Sequence, residues 1–217
     1  PAWFGAPYES AFMYTEPSHA YLIADGAALA SSPIEINRSP IEPSAFAHRM
    51  REHWTAKLKN VSSPALKAVW TQIAQAFGDH IAQDACPHRR TEWTVLAPPT
   101  GTGKTQGLAM YAAMLAPLVA QGKHPGVLIL KTLRKDVEEM AHRINVMAAH
   151  EGYALASHAS LTVKPSPEEV HGAAVLCTTH EAYRLSLGSL GQSGDEQACH
   201  LLKWSHGSRK LVVIDGC

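Results

Sequence analysis

The chain has no apolar run approaching the roughly 20 residues that a membrane-spanning helix needs. It also lacks a basic start followed by an apolar core, so no secretory signal is read and a cytoplasmic location is the default expectation. Basic residues are missing from the whole of residues 1–37, where Glu9, Glu16, Asp25 and Glu35 lie. The formal net charge is zero, so the overall basic balance common in nucleic-acid-binding proteins is absent and only a local basic strip could serve that purpose. Cys86, Cys177, Cys199 and Cys217 show neither a disulfide framework nor a Cys-x-x-Cys knuckle, and are read as free thiols. Cys86 and His88 can be grouped on paper with Cys199, His200 and His206 as metal ligands, but their spacing requires no metal. Charged residues make up 18% of the chain and hydrophobic ones 46%, which excludes bulk disorder.

What is present changes character along the chain. Residues 1–43 carry Pro1, Pro7, Pro17, Pro33, Pro40 and Pro43 and read as an extended arm, with one apolar patch, Tyr21–Ala24, ahead of an Asp25-Gly26 turn. Residues 44–90 read as a helical hairpin. Ser44 is placed to cap its first helix, where Phe46, Met50, Trp54 and Leu58 recur every four residues. Ser63 followed by Pro64 opens the second, whose stripe is Leu66, Val69, Trp70, Ile73, Phe77 and Ile81. From residue 91 strands and helices alternate. Strands are expected at 93–97, 126–130, 153–157, 173–177 and 211–214, and helices at 104–120, 134–150 and from 179 onward. Such alternation predicts an α/β domain over 91–217, with a mainly parallel sheet covered by helices on both faces.

Between the first of these strands and the first helix lies Pro98-Pro99-Thr100-Gly101-Thr102-Gly103-Lys104-Thr105. Its end, Gly-Lys-Thr, is that of a P-loop, although Pro98 stands where that pattern has its first Gly. Glycines let backbone N–H groups curl around a phosphate, and the helix beginning there presents its positive end to the anion. Thr100, Gly101, Thr102, Gly103, Lys104 and Thr105 are therefore the expected phosphate cradle for ATP. Lys104 reaches the β- and γ-phosphates, and the Thr105 hydroxyl holds Mg²⁺. A P-loop enzyme needs an acidic residue at the end of a neighbouring strand to complete the metal site. Leu211-Val212-Val213-Ile214-Asp215 supplies one, which makes Lys104 and Asp215 the expected catalytic pair and Thr105 and Asp215 the expected metal ligands. The residue after Asp215 is Gly216, whereas many hydrolysing P-loop enzymes carry Glu there as a general base. A chain stopping one residue later, just past a buried strand, is read as a truncated domain.

These residues resemble the first RecA-like domain of superfamily 2 helicases, the DEAD/DEAH-box-like ATPases. Ala97–Thr105 is similar to their motif I, Val127–Arg134 to motif Ia, Ala174–Ala182 to motif Ib, and Val212–Asp215 to motif II up to its Asp. The resemblance implies that Thr132, Arg134, Thr178 and Thr179 touch the sugar-phosphate backbone of DNA or RNA. It also implies a second RecA-like domain carrying an arginine finger. Neither is found in these residues, so little hydrolysis and no unwinding are expected of the chain alone. Two alternatives stay open: another P-loop enzyme, such as a small-molecule kinase or AAA-type ATPase, and a nucleotide-binding module that does not hydrolyse.

Overall fold

The computed structural model describes residues 39–83, 94–149, 155–160, 162–188 and 201–215, all within one compact unit, Ile34–Cys217. Residues 1–38 of the arm read over 1–43, together with Cys86, His88, Cys199, His200 and Gly216, lie outside the described residues.

The hairpin is formed by α1 (Pro43–Glu52) and α2 (Pro64–Gln83). Pro43 rather than Ser44 opens α1, since the first helical position needs no N–H, and Glu42 takes the cap position without a side-chain bond. Ser63 does cap α2, its hydroxyl accepting from Leu66 N at 3.2 Å. Between the helices, His53–Lys57 winds into a single π-helical turn that contains Trp54. The two apolar stripes meet as expected: Phe46, Met50, Trp70, Ile73, Phe77 and Ile81 are buried.

The sheet is built from β1 (Val127–Lys131), β2 (Ala156–Ala159), β3 (Val175–Thr179) and a later strand, Leu211–Asp215. A small antiparallel ribbon, β4 (Lys203–Trp204) with β5 (Gly207–Ser208), precedes that later strand, which is therefore β6. The order is β2-β3-β1-β6 and every pairing in the four-stranded sheet is parallel. Successive side chains of a strand point to opposite faces. One parity, Val127, Ile129, Val175, Cys177 and Leu211, joins the core made with α1, α2, α3 (Lys104–Met114) and α5 (Arg134–Ala149). The other parity, Leu128, Leu130 and Leu176, meets Val170 of α6 (Pro167–Gly172) and Tyr183 of α7 (His180–Gly188). An α/β fold with helices on both faces follows.

Three expectations change. The single helix over 104–120 is broken, because Pro117 has no N–H to continue α3 and instead opens the short α4 (Pro117–Ala120). The strand placed at Tyr153–Ser157 lies later in the chain, at Ala156–Ala159, where Asn145 of α5 holds its start by accepting from Leu155 N and Ala156 N. The strand at 93–97 is not formed by its described part: residues 94–99 are irregular, and Val95 is 84% exposed. Pro98 and Pro99 remove two N–H donors from its exit, which disfavours a ladder there.

Cys177 is a free thiol, fully buried, and burial pushes its pKa up to about 12. It is consequently an inert core residue.

Candidate functional site

Parallel sheets present their functional residues at the carboxyl ends of the strands. There Thr179, Lys131 and Asp215 form a row, since Lys131 is in register with Thr179 on one side and Asp215 on the other. All three share the parity that faces α3 and α5.

The loop leading into α3 has the backbone that its sequence calls for. Gly101 and Gly103 adopt φ of 81° and 80°, the left-handed region in which a side chain is strained. Gly103 is the N-cap of α3, so the first amides of the helix, which have no intrahelical partner by geometry, open toward the loop. Lys104 spans the loop, its Nζ donating to Pro98 O at 2.9 Å. The Thr102 hydroxyl donates to Pro99 O at 2.8 Å. Thr100 and Gly101 are exposed at the loop tip.

The hairpin holds this loop from behind. Trp70 Nε1 donates to Thr102 O at 2.9 Å, a buried contact. The Trp54 ring lies so close to Gly103 that a Cβ there would meet its Cζ3 at 2.8 Å. Trp54 and Trp70 pack edge to face, with centroids 5.8 Å apart. Periodicity foretold that these tryptophans face inward, but nothing in the sequence named the loop at 100–105 as their partner.

Thr105 and Asp215 meet although 110 residues separate them: the Thr105 hydroxyl donates to Asp215 Oδ2 at 3.3 Å. Two oxygens in adjacent positions on an octahedral Mg²⁺, each at about 2.1 Å, lie about 3 Å apart. The pair therefore fits a hard divalent cation in both spacing and donor chemistry. Among the described residues no three His, Cys, Asp or Glu side chains converge on one point. Lys131 shares the same carboxylate oxygen, Nζ to Oδ2 2.7 Å, with only 11% of its side chain exposed. Sequence reasoning missed Lys131, and the signal that would find it is strand register. Beside this cluster is a cavity of about 210 Å³ lined by Thr105, Lys131, Asp136, Glu139, Met140 and Arg143.

The four residues implied as backbone contacts are dispersed. Thr132 is exposed, and Arg134 is exposed at the start of α5, pairing with Glu138 at 2.9 Å. Thr178 is fully buried, because its parity turns it onto the α6–α7 face of the sheet, so it is not a surface residue able to reach a phosphate. Thr179 is buried too, and its hydroxyl accepts from Ala182 N at 3.1 Å, capping α7. Among the described residues no helix is long and apolar enough to cross a membrane. No protein-family model, curated protein or solved structure matches the chain.

Proposed function

We propose that the chain binds ATP with Mg²⁺ through the loop at 100–105 and serves as the nucleotide-binding domain of a helicase-like, nucleic-acid-dependent ATPase. The observation that carries this reading is the contact between Thr105 and Asp215, a hydroxyl and a carboxylate brought together at the mouth of a glycine loop and a helix N-terminus. Gly101, Gly103 and the first amides of α3 would cradle the β- and γ-phosphates. Lys104 would leave Pro98 O to neutralise the γ-phosphate, and Thr105 and Asp215 would hold the metal. Bound there, Mg²⁺ supplies positive charge to the phosphate oxygens during transfer. Thr132 and Arg134, exposed at the β1–α5 junction, remain the candidates for contact with a nucleic-acid backbone, which their hydroxyl and guanidinium suit without reading bases.

A second reading, nucleotide binding without turnover, is favoured by Gly216, which offers no carboxylate to orient water. Single-turnover hydrolysis in the presence of single-stranded nucleic acid separates the two.

Titration with a fluorescent ATP analogue and Mg²⁺ tests the common core of both. Saturable binding to the wild-type chain, lost in Lys104→Ala, is the expected result. A folded chain whose binding is untouched by Lys104→Ala refutes the assignment.

A further inference from the structure

The cation that faces Asp215 is Lys131. In-register neighbours on adjacent parallel strands present their side chains side by side, and Lys131 and Asp215 are such a pair on the face turned toward Thr105. The ammonium sits 2.7 Å from Oδ2, the same oxygen that takes the Thr105 hydroxyl, and both members are mostly withdrawn from solvent, with side chains 11% and 19% exposed. An ammonium and a divalent cation on one carboxylate oxygen at these distances repel each other, most strongly where water is scarce. Lys131 is therefore a competitor for the oxygen that the proposed metal would use.

The neighbourhood also offers Lys131 somewhere to go. The cavity of about 210 Å³ beside it is lined by Asp136 and Glu139 from the first turns of α5, and by Arg143, which pairs with Glu139 and leaves Asp136 as the acidic seat without an ion pair of its own among the described residues. The Lys131 side chain is long and flexible and shares this cavity's lining, so its ammonium can turn from Asp215 toward the acidic side of the cavity.

Resting on the nucleotide reading above, we propose that Lys131 is a gate on the metal site. Its ammonium competes with Mg²⁺ for Asp215 Oδ2, and the metal is seated only as Lys131 swings to Asp136 and Glu139. Lys131 is followed directly by Thr132, and Arg134 is three residues on, so the gate lies at the base of the exposed β1–α5 junction.

The size of the effect follows from the closed fraction. Apparent affinity falls in proportion to the fraction of molecules whose site is free, so a gate closed in about nine molecules of ten weakens Mg²⁺ about tenfold. The test is a Mg²⁺ titration of fluorescent ATP-analogue binding at fixed nucleotide, read as the Mg²⁺ midpoint, for the wild-type chain, Lys131→Met and the double variant Asp136→Asn/Glu139→Gln. Lys131→Met is expected to lower the midpoint about tenfold, and the double variant, which removes the alternative seat, to raise it. Analogue binding that is lost in Lys104→Ala, with a midpoint unmoved or raised by Lys131→Met, overturns the gate and leaves the nucleotide reading standing. No analogue binding in any folded variant overturns both. Binding by Lys131→Met where the wild-type chain shows none supports the gate. Should Lys131→Met fail to fold, an unchanged midpoint in the double variant overturns the proposal by itself.

Discussion

Replacing Gly103 with alanine tests whether the hairpin braces the glycine loop at 100–105. Two costs combine there. The residue has φ of 80°, and a non-glycine in that region loses about 1–2 kcal/mol. The added Cβ would also lie 2.8 Å from Trp54 Cζ3, so the indole must shift, and overpacking of this kind costs about 1–3 kcal/mol. Gly101 is the control: its φ is 81°, yet a Cβ there meets nothing within 4 Å. Gly101→Ala is expected to cost only the backbone part, leaving a gap of about 1–3 kcal/mol between the two variants. Urea denaturation followed by far-ultraviolet circular dichroism reads this gap without depending on tryptophan emission. Trp54→Ala made in the Gly103→Ala background removes the obstructing ring, so the gap should close, with a coupling energy of similar size. Equal costs for the two glycine variants, or a gap that survives the loss of Trp54, would refute the seating of the indole on the loop.

Two further predictions concern the region beneath the β4–β5 ribbon. Burial, with Arg209 and His206 nearby, pushes the His124 pKa from 6.5 down to about 3, while its Nδ1 accepts from Gly126 N at 2.9 Å. The unfolded chain binds a proton below 6.5 that the folded chain refuses, so this contribution is present above 6.5 and is lost as pH falls toward 3. The loss should reach about 2–3 kcal/mol by about pH 4.5, and urea midpoints measured against pH should show a shallower acid slope in His124→Asn. Arg209, only 4% exposed, donates to Val170 O at 2.7 Å, Ala173 O at 2.8 Å and Leu201 O at 2.9 Å, and also to Lys203 O. Arg209→Met leaves these carbonyls without their donor and should destabilise the chain by more than about 3 kcal/mol, seen as a lowered thermal midpoint; a loss under 1 kcal/mol would show that water replaces the guanidinium freely.

Much of the sheet was legible because buried parallel strands need continuous apolar runs, and β1, β3 and β6 each have one. The strand ends were harder to read. Polar residues such as Lys131 and Thr179 continue their strands beyond the apolar run, since backbone pairing rather than hydrophobicity decides where a ladder stops. The run Thr94-Val95-Leu96-Ala97 looks equally strand-like, yet two prolines follow it and its described residues stay irregular. Local composition carries no information about whether a neighbouring strand accepts the pairing.

The candidate site divides in the same way. The loop at 100–105 was legible because its backbone demands glycines, and Asp215 because it ends an apolar strand. Those signals are local, and they name the residues of a candidate site without saying what else meets them. Lys131 belongs to the same cluster but has no motif, because its role arises from register: moving β1 by one residue against β6 would turn it to the opposite face and leave Asp215 without a cation. Thr178 and Thr179 make the converse case. Adjacent in sequence and equally suited to touch a phosphate backbone, they are separated by strand parity, one within the α6–α7 face and the other capping α7. A motif chooses residue types, whereas register and parity choose which of them can act together. In this chain register sets Lys131 of β1 beside Asp215 of β6, a pairing that neither residue's local sequence announces.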